Sequence, residues 1–347
     1  MQHEAQHPQF STKDMKKIFI SGDGVAACCC AFLLKKAGFG VFVRRGERPR
    51  LPAILLSDAA LNLIQGVFGD LSFGHCHAIR SRVVAWGPDA QVVTVDHLAR
   101  VVSEQELLAT LWSRVDLDQE QPGNGDWTVL ASRPLPQGTI EQRFGTRTAS
   151  VVPVKLKGKA DASACWIESL ENGWLFLIPN GPESAFVLAV GDRTESMIDS
   201  SRLIAAQIAE CGELGGEFPA HPRIVSSLCG EDWLACGTAA MAFDPLCGDG
   251  TSHAVREAIL AAAIIQAAAN GENEEELRSH YETRLLAGFG RHLALCSQFY
   301  KTGHRGPWWE QELKSLEEGM MWCGQQIGDR RDFRYQLNGF ELQATAG

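Results

Sequence analysis

The segment from Lys16 to Arg45 constrains the fold more than any other part of the chain. It reads as the apolar run KKIFIS, a turn at Gly22, a run of small and apolar residues ending at Gly38, and a second apolar run, GVFVRR. These periodicities predict a strand, a tight turn, a helix and a second strand. Such a βαβ unit has parallel strands and a right-handed crossover. We therefore expect an α/β fold, preceded by a polar, flexible tail over residues 1–15.

Composition excludes several classes of function. The 347 residues are 45% hydrophobic, enough to bury a sizeable core, and the net charge of -10 disfavours binding to nucleic acid or to acidic lipid headgroups. The eleven cysteines are odd in number and include no C-x-x-C pair, so neither a disulfide framework nor a zinc site is indicated. No apolar run has the length of a signal peptide or of a membrane span, so we expect a cytoplasmic protein.

Local signals predict further elements. Helices are expected after Ser57, with Asp58 in the first turn, and after Ser103, with Glu106 at capping-box spacing. Between them, RSRVVAWG and AQVVTV are typical of paired strands. A series of β-like runs from Asp126 to Val190 predicts a separate sheet that covers a substrate. Helical patterns return over 199–212, 252–271, 273–301 and 307–328.

The first turn has the spacing of a dinucleotide-binding motif. Gly22 permits the tight turn, Gly24 lets the backbone approach a pyrophosphate, and Ala27 lets helix and strand pack closely. The N-terminus of the helix then offers free N–H groups to phosphates. The alternative is a tightly packed helix start without a ligand.

The position expected to hold a ribose-binding carboxylate holds arginine instead. Arg45 stands there, and a guanidinium binds phosphate but accepts no hydrogen bond from ribose. Three interpretations remain: an NADP site that uses Arg44 or Arg45, an FAD site in which Glu47 or the backbone binds the ribose, or a site that has lost its nucleotide.

A second motif lies in LACGTAAMAFDPLCGDGTSHAVREAILAAAII, residues 234–265. It resembles the flavin signature G-D-A-A-x-x-x-D-P-L-x-G-x-G of the FAD-dependent aromatic hydroxylase, geranylgeranyl reductase and tryptophan halogenase superfamily. The resemblance implies an FAD cofactor, and its one departure is Thr238, where the family has Asp. The residues it places at the cofactor are Thr238, Asp244, Pro245, Gly248, Asp249 and Gly250.

The chemistry of this loop suits a flat redox ring. Pro245 is rigid, Gly248 and Gly250 let main chain approach a planar ligand, and the following helix directs positive potential at it. The alternative is an ordinary loop before an Ala-rich core helix.

Two more stretches are similar to the same superfamily. NGWLFLIPNG resembles its G-W-x-W segments, which implies that Trp174 and Phe176 form part of a substrate wall. QFYKTGHRGPWWEQEL resembles the C-terminal region of halogenase-like flavoproteins. The fold implied is a Rossmann-like FAD-binding domain (16–125 and 220–290), an inserted, mainly antiparallel substrate domain (126–219) and a C-terminal helical segment (291–347).

Other features depart from the family. There is no lysine from Leu51 to Val154, where halogenases have the lysine that handles hypohalous acid, so halogenation is disfavoured. Ser103 and Glu104 stand in the region of a family arginine, which predicts weak FAD affinity. No catalytic acid or base is assigned; His75, His77 and His253 are candidates by residue type alone.

The resemblance implies an FAD-dependent monooxygenase that hydroxylates an electron-rich aromatic ring, such as indole or tryptophan, through a flavin hydroperoxide. The chain is similar to flavoproteins that oxygenate a tryptophan of a partner quinoprotein precursor during tryptophylquinone biogenesis. NAD(P)H or a separate flavin reductase would supply electrons. The alternatives are a geranylgeranyl-reductase-like flavin reductase and a degenerate, flavin-free binding protein.

Overall fold

A four-stranded parallel sheet and a nine-stranded, mainly antiparallel sheet contain most of the strands of the computed structural model. The structure describes residues 16–46, 50–89, 91–117, 125–328 and 334–345, so the predicted tail lies outside it. The mixed α/β class and the C-terminal helices are as predicted.

The strands are β1 Lys17–Ser21, β2 Gly40–Arg44, β3 Ile54–Ser57, β4 His77–Ala85, β5 Val93–Val102, β6 Trp127–Leu130, β7 Glu141–Arg143, β8 Thr148–Leu156, β9 Ala164–Leu170, β10 Gly173–Pro179, β11 Ser184–Gly191, β12 Ile208–Cys211, β13 Gly216–Pro219, β14 Arg223–Val225, β15 Trp233–Ala235, β16 Met241–Ala242, β17 Tyr335–Asn338 and β18 Glu341–Ala344. The helices are α1 Val25–Lys36, α2 Asp58–Phe68, α3 Glu104–Trp112, α4 Thr194–Ser200, α5 Gly237–Ala240, α6 Gly250–Ala269, α7 Glu274–Thr302 and α8 Pro307–Ile327. Two 3-10 turns cover Ala205–Gln207 and Pro245–Cys247.

The parallel sheet has the strand order β15-β6-β1-β2. The predicted unit of β1, α1 and β2 is confirmed, with Ile18 opposite Val41 in the ladder. Helix α1 is almost entirely buried and packs against α6, where the Cys30 thiol donates to the Ala258 carbonyl at 3.5 Å. The small residues of both helices allow this close approach.

The larger sheet has the order β12-β8-β11-β10-β9-β4-β5-β3, with β13 also paired to β8. Its pairs are antiparallel except β4 with β9. Alternate residues of β10 serve two cores: Trp174 and Phe176 join the main core, whereas Leu175 and Leu177 join a second cluster beyond the sheet. Both faces of this strand are therefore buried.

The strands are shared between the two sheets differently from what the sequence predicts. Strand β6, expected in the separate sheet, pairs in parallel with β1, whereas β3, β4 and β5 belong to the large sheet. The residues directly before the helix that starts after Ser57 form strand β3. A short apolar run shows that a strand exists but not which sheet it joins. The division into 16–125 with 220–290 and 126–219 stays a prediction.

The predicted helix over 199–212 is wrong. Helix α4 ends at Ser200, a 3-10 turn follows, and β12 then pairs with β8. The cause is a long-range contact: the buried Glu168 carboxylate accepts bonds from the Ser201 hydroxyl and from the backbone N–H groups of Arg202, Leu203 and Ile204. These N–H groups point at one carboxylate instead of along a helix.

The predicted helices from Ser57, Ser103, residue 252, residue 273 and residue 307 are confirmed as α2, α3, α6, α7 and α8. Ser57 and Ser103 cap their helices by accepting from Ala60 and Glu106 N–H groups. The Glu106 carboxylate accepts from Gly74. The C-terminal segment forms the hairpin β17–β18. No helix among the described residues is long and apolar enough to cross a membrane.

We predict that Glu168→Ala lowers the free energy of unfolding by about 3 kcal/mol, because it removes the one carboxylate that accepts from the buried Ser201 hydroxyl and from three successive backbone N–H groups, of which that of Ile204 is buried. Urea unfolding measures the difference. The matched control is Glu171→Ala, an exposed carboxylate in the turn after the same strand, with an expected change below about 0.5 kcal/mol. Equal effects of the two substitutions would contradict the capping role of Glu168.

Candidate functional site

The candidate site lies at the carboxyl edge of the parallel sheet. From β1 the chain passes through α1 to β2 on one side, while β6 flanks β1 on the other, so the strand order reverses there. Open α/β sheets bind ligands at such switch points.

The first glycine turn has the conformation that its motif predicts. Gly22 has φ +125°, and a Cβ atom there would lie 3.1 Å from Ala131 and Ser132, just after β6. Its N–H donates to the Arg44 carbonyl at 2.8 Å. Gly24 is the N-cap of α1, without a side-chain cap, and Ala27 is fully buried. The turn therefore leaves the first N–H groups of α1 without a capping side chain.

Three arginines surround this turn. Arg50 forms an ion pair with the buried Asp23 carboxylate. The Arg44 guanidinium lies 5.5 Å from the centre of the Phe19 ring, and that of Arg45 lies 5.1 Å from the Trp112 ring. Arg44 and Arg45 are both exposed, so their guanidinium groups can bind an anionic ligand. Glu47, the predicted ribose partner, lies outside the described residues.

The second motif meets the first in space. A Cβ atom on Gly237 would lie 2.8 Å from the Ala26 Cβ, so α5 abuts the first turn of α1. The Thr238 hydroxyl lies 3.5 Å from the Ala131 carbonyl, and this residue is exposed. The structure thus brings together residues more than two hundred positions apart in sequence.

The loop before α6 is open at its glycines. Gly248 has a left-handed conformation with φ +62°, and a Cβ atom on Gly248 or Gly250 would meet nothing within 4 Å. Pro245 begins the 3-10 turn, and Asp249, the N-cap of α6, contacts Arg256 at 3.2 Å. Main chain at the start of α6 is therefore accessible to a ligand.

Asp244 has a different position, inside a buried network. Its Oδ2 accepts from Arg147 Nε and from the Tyr300 hydroxyl, each at 2.9 Å. The same guanidinium pairs with Glu312, and Trp174 Nε1 donates to the Tyr300 oxygen at 3.3 Å. We call these five residues the Arg147 network.

The Arg147 network joins the loop before α6 to β10, α7, α8 and the start of β8. Its ionic side chains are at most 1% exposed. Burial alone would lower the pKa of Arg147, but Tyr300, Asp244 and Glu312 raise it above its ordinary value. Since Asp244 Oδ1 also accepts from Leu246 N–H at 2.8 Å, its carboxylate shapes the loop. A direct contact between Asp244 and a cofactor stays a prediction.

The predicted substrate residues are buried in the main core. Trp174 is 0% exposed and Phe176 is 4% exposed, on the face of β10 that looks towards the main core. The Arg82 guanidinium lies 5.5 Å from the centre of the Phe176 ring and its Nη2 contacts His97 Nε2 at 3.0 Å. Contact of Trp174 or Phe176 with a substrate stays a prediction.

The three candidate histidines lie apart. His75 is exposed, and His77 Nε2 lies 2.6 Å from the Ala162 carbonyl. Only His253 is close to the loop before α6: its ring stacks on Phe243 at 3.8 Å, and burial lowers its pKa. The structure assigns none of them as a catalytic acid or base.

Sequence reasoning missed Arg147, Glu312 and Glu257. Glu257 of α6 is buried and accepts from Gly237 N–H at 2.7 Å, which fixes the start of α5. Burial raises its pKa to about 8. A carboxylate within the apolar run AVREAILAAA was the available signal, because such a side chain is rarely buried without a partner.

No family model matches the chain, and no curated protein matches it in sequence. Several solved structures are similar to it in fold. The peptidyl tryptophan dihydroxylase QhpG, essential for tryptophylquinone cofactor biogenesis, has a TM-score of 0.68 and 19% identity, over 86% of this chain and 78% of its own. The myxobacterial chondrochloren halogenase CndH has a TM-score of 0.72 and 16% identity, over 94% of both chains. The flavin-dependent halogenase CmlS has a TM-score of 0.70 and 17% identity, over 89% of this chain and 70% of its own.

The fold is that of flavin-dependent halogenases and of the dihydroxylase QhpG. These similarities confirm the mixed α/β class with parallel and antiparallel sheets and C-terminal helices; the predicted domain division stays a prediction. The levels of identity, 16–19%, establish the architecture and leave reaction and substrate to the residues of this chain.

We predict that Glu312→Gln destabilises the protein by about 3 kcal/mol, because it leaves Arg147 buried with one charged partner instead of two. Urea unfolding measures the loss. Glu318→Gln, on the exposed side of the same helix, is the control and should change stability by less than about 0.5 kcal/mol. An unchanged unfolding midpoint for Glu312→Gln would refute the importance of this ion pair.

The raised pKa of Glu257 predicts a pH dependence of stability. The folded pKa is about 8 against an ordinary value of 4.5, so the folded state binds the proton more tightly. The contribution of Glu257 to the free energy of unfolding is complete below about pH 4.5 and is lost as the pH rises towards about 8. In Glu257→Gln the loss of stability between about pH 4.5 and about pH 8 should disappear, because the uncharged amide oxygen still accepts from Gly237 N–H. Unfolding at several pH values tests this, with the exposed Glu183→Gln as the control that keeps the decline.

Proposed function

We propose that the chain is an FAD-dependent monooxygenase that hydroxylates an electron-rich aromatic ring. The observation that carries this proposal is the meeting of the two glycine motifs at the carboxyl edge of the parallel sheet, within a fold shared with flavin-dependent oxygenases and halogenases. Bound FAD would supply the activation of dioxygen; the protein would bind it, orient it and exclude water.

The residues present fit such a cofactor. Gly22 needs a conformation that a side chain disfavours, and Gly248 and Gly250 face open space. The Ser252 hydroxyl, in the first turn of α6, is buried and finds no hydrogen-bond partner within the described part of the chain. The main chain at the two glycines is therefore open to a ligand, and the nearby hydroxyl is a buried polar group whose partner the described residues do not supply.

Two helix N-termini would hold the two ends of the cofactor. The first turn of α1, between Gly24 and Ala27, would take the pyrophosphate, and Arg44 or Arg45 would lie near the adenosine half. The N-terminus of α6 would direct positive potential at the negative edge of the reduced ring. Thr238 would lie beside the cofactor but carries no charge, which supports weaker binding than the aspartate of the family would give.

Hydroxylation is favoured over halogenation by the distribution of lysines. No lysine occurs between Leu51 and Val154, and Lys155 is on the surface, where it pairs with Glu210 at 2.6 Å. The region thus offers no ammonium group to receive a hypohalous acid.

The substrate we propose is a tryptophan side chain of a partner protein, a quinoprotein precursor. The support is the similarity to QhpG, named for its action on a peptidyl tryptophan. Phe176 is buried in the main core with Arg82 over its ring, so stacking of a substrate indole there would require the strand face to open. NAD(P)H or a separate reductase would supply the electrons.

Departures at Arg45, Glu104 and Thr238 favour one alternative, a flavin-free binding protein. Glu104 is buried and accepts from Leu51 N–H at 2.8 Å, so its charge serves the protein itself. A flavin reductase of the geranylgeranyl reductase type remains the second alternative; it would reduce an isoprenoid without dioxygen.

We predict that Gly250→Val reduces FAD affinity about tenfold or more and leaves the fold intact, because a Cβ atom there would meet no protein atom within 4 Å and the added side chain would take up space before α6. Titration of the purified full-length chain with FAD, followed by flavin fluorescence, measures the affinity. The control is Gly158→Val, at another glycine that faces open space, in a turn of the large sheet. If the unsubstituted chain takes up no FAD, the binding-protein alternative is supported and the oxygenase is rejected.

The reaction itself is tested with reduced FAD, labelled dioxygen and a tryptophan-containing precursor protein. Mass spectrometry of the tryptic peptides should find labelled oxygen on tryptophan. Oxidation of free indole only would contradict the protein substrate, and reduction of an isoprenoid in the absence of dioxygen would contradict the oxygenase.

A further inference from the structure

Two cysteines and a histidine meet behind the loop that precedes α6. Cys247 ends the 3-10 turn, and His292 and Cys296 are one turn apart on α7. The Cys247 and Cys296 sulfurs are 3.6 Å apart, the Cys296 sulfur is 3.3 Å from His292 Nε2, and all three atoms lie within 4.8 Å of one another. This is the one such group of metal-binding atoms found among the described residues.

These separations suit a thiophilic cation. A tetrahedral zinc centre, with Zn–S bonds of ~2.3 Å and Zn–N bonds of ~2.0 Å, places two sulfurs about 3.8 Å apart and sulfur and nitrogen about 3.5 Å apart. Both observed distances are within a few tenths of an ångström of these values. Cys247 is half-buried on a loop, so its side chain can adjust to complete the geometry.

The surroundings hold the histidine in place and leave a route to solvent. The His292 ring meets the Phe243 ring edge-on at 4.8 Å and the His253 ring at 5.7 Å. Cys247 and His292 also line a cavity of about 790 Å³ between α2, α6, α7 and the C-terminal hairpin. A cation could enter through this cavity, and water in it could supply a fourth ligand.

We propose that Cys247, His292 and Cys296 form a binding site for a thiophilic divalent cation of the Zn²⁺ class, with water as the fourth ligand. Each thiol releases its proton to solvent as the metal–sulfur bond forms, and neutral His292 binds through Nε2. This proposal does not rest on the proposed FAD chemistry.

Metal binding would also act on the loop before α6. In the metal-free chain, His292 Nε2 accepts from Asp244 N–H at 3.0 Å. A cation bound to Nε2 would take this lone pair, so the Asp244 amide would lose its acceptor. Occupancy of the site is therefore coupled to the shape of the proposed flavin-binding loop.

The test uses the full-length chain, reduced and stripped with a chelator. Co²⁺ is the probe, because cobalt bound by thiolates in a tetrahedral site absorbs in the visible and near-ultraviolet. It is added in the absence of oxygen, so that the thiols stay reduced. Zn²⁺ should then displace it, with one ion bound per chain. Cys247→Ser and Cys296→Ser should each weaken binding about 100-fold or more.

Cys323→Ser is the matched control, because Cys323 is also buried but belongs to α8, outside the cluster; it should bind like the unsubstituted chain. Cys247 is half-buried, so Cys247→Ser should fold even where Cys296→Ser does not. Absence of a stoichiometric cobalt spectrum would overturn the proposal. So would equal binding by the unsubstituted chain and Cys247→Ser, or a Cys247–Cys296 disulfide that persists in the reductant.

Discussion

The buried charge of Arg147 is the constraint on which the candidate site depends. A guanidinium out of contact with water requires anionic partners, and its two partners come from distant parts of the chain, Asp244 in the loop before α6 and Glu312 in α8. Tyr300 adds a third link by donating to Asp244, with its ring 4.9 Å from the guanidinium. The position of the loop before α6 is therefore set by α7 and α8, which follow it in sequence, and by the large sheet, which precedes it.

Two kinds of glycine serve the site in different ways. Gly22 is required by its backbone conformation and by the close approach of the chain after β6, so it determines how β1 turns into α1. Gly248 and Gly250 are instead surrounded by open space, which leaves main chain free for a ligand. Gly22 is thus required by the fold of the protein itself, whereas Gly248 and Gly250 leave space for a ligand. Together they account for the spacing of both motifs in physical terms.

Elements with local causes were predictable, and those with distant causes were not. Ser57 and Ser103 cap their helices through bonds to N–H groups three residues ahead, so sequence alone locates both helix starts. The segment after Ser200 has helical periodicity but is held in another conformation by Glu168, more than thirty residues earlier. Strand β6 likewise has an ordinary strand pattern, and only its pairing with β1 shows which sheet it joins.

Sequence patterns were enough to identify the α/β class, the βαβ unit at the start, the long C-terminal helices and the two glycine motifs, because each depends on neighbours within a few turns of chain. Tertiary structure alone decided that the motifs meet, that Asp244 faces Arg147 and not open space, and that Cys247 lies beside Cys296. Burial and ion pairing join residues that are far apart in sequence, and local sequence patterns do not reveal which of these residues come into contact.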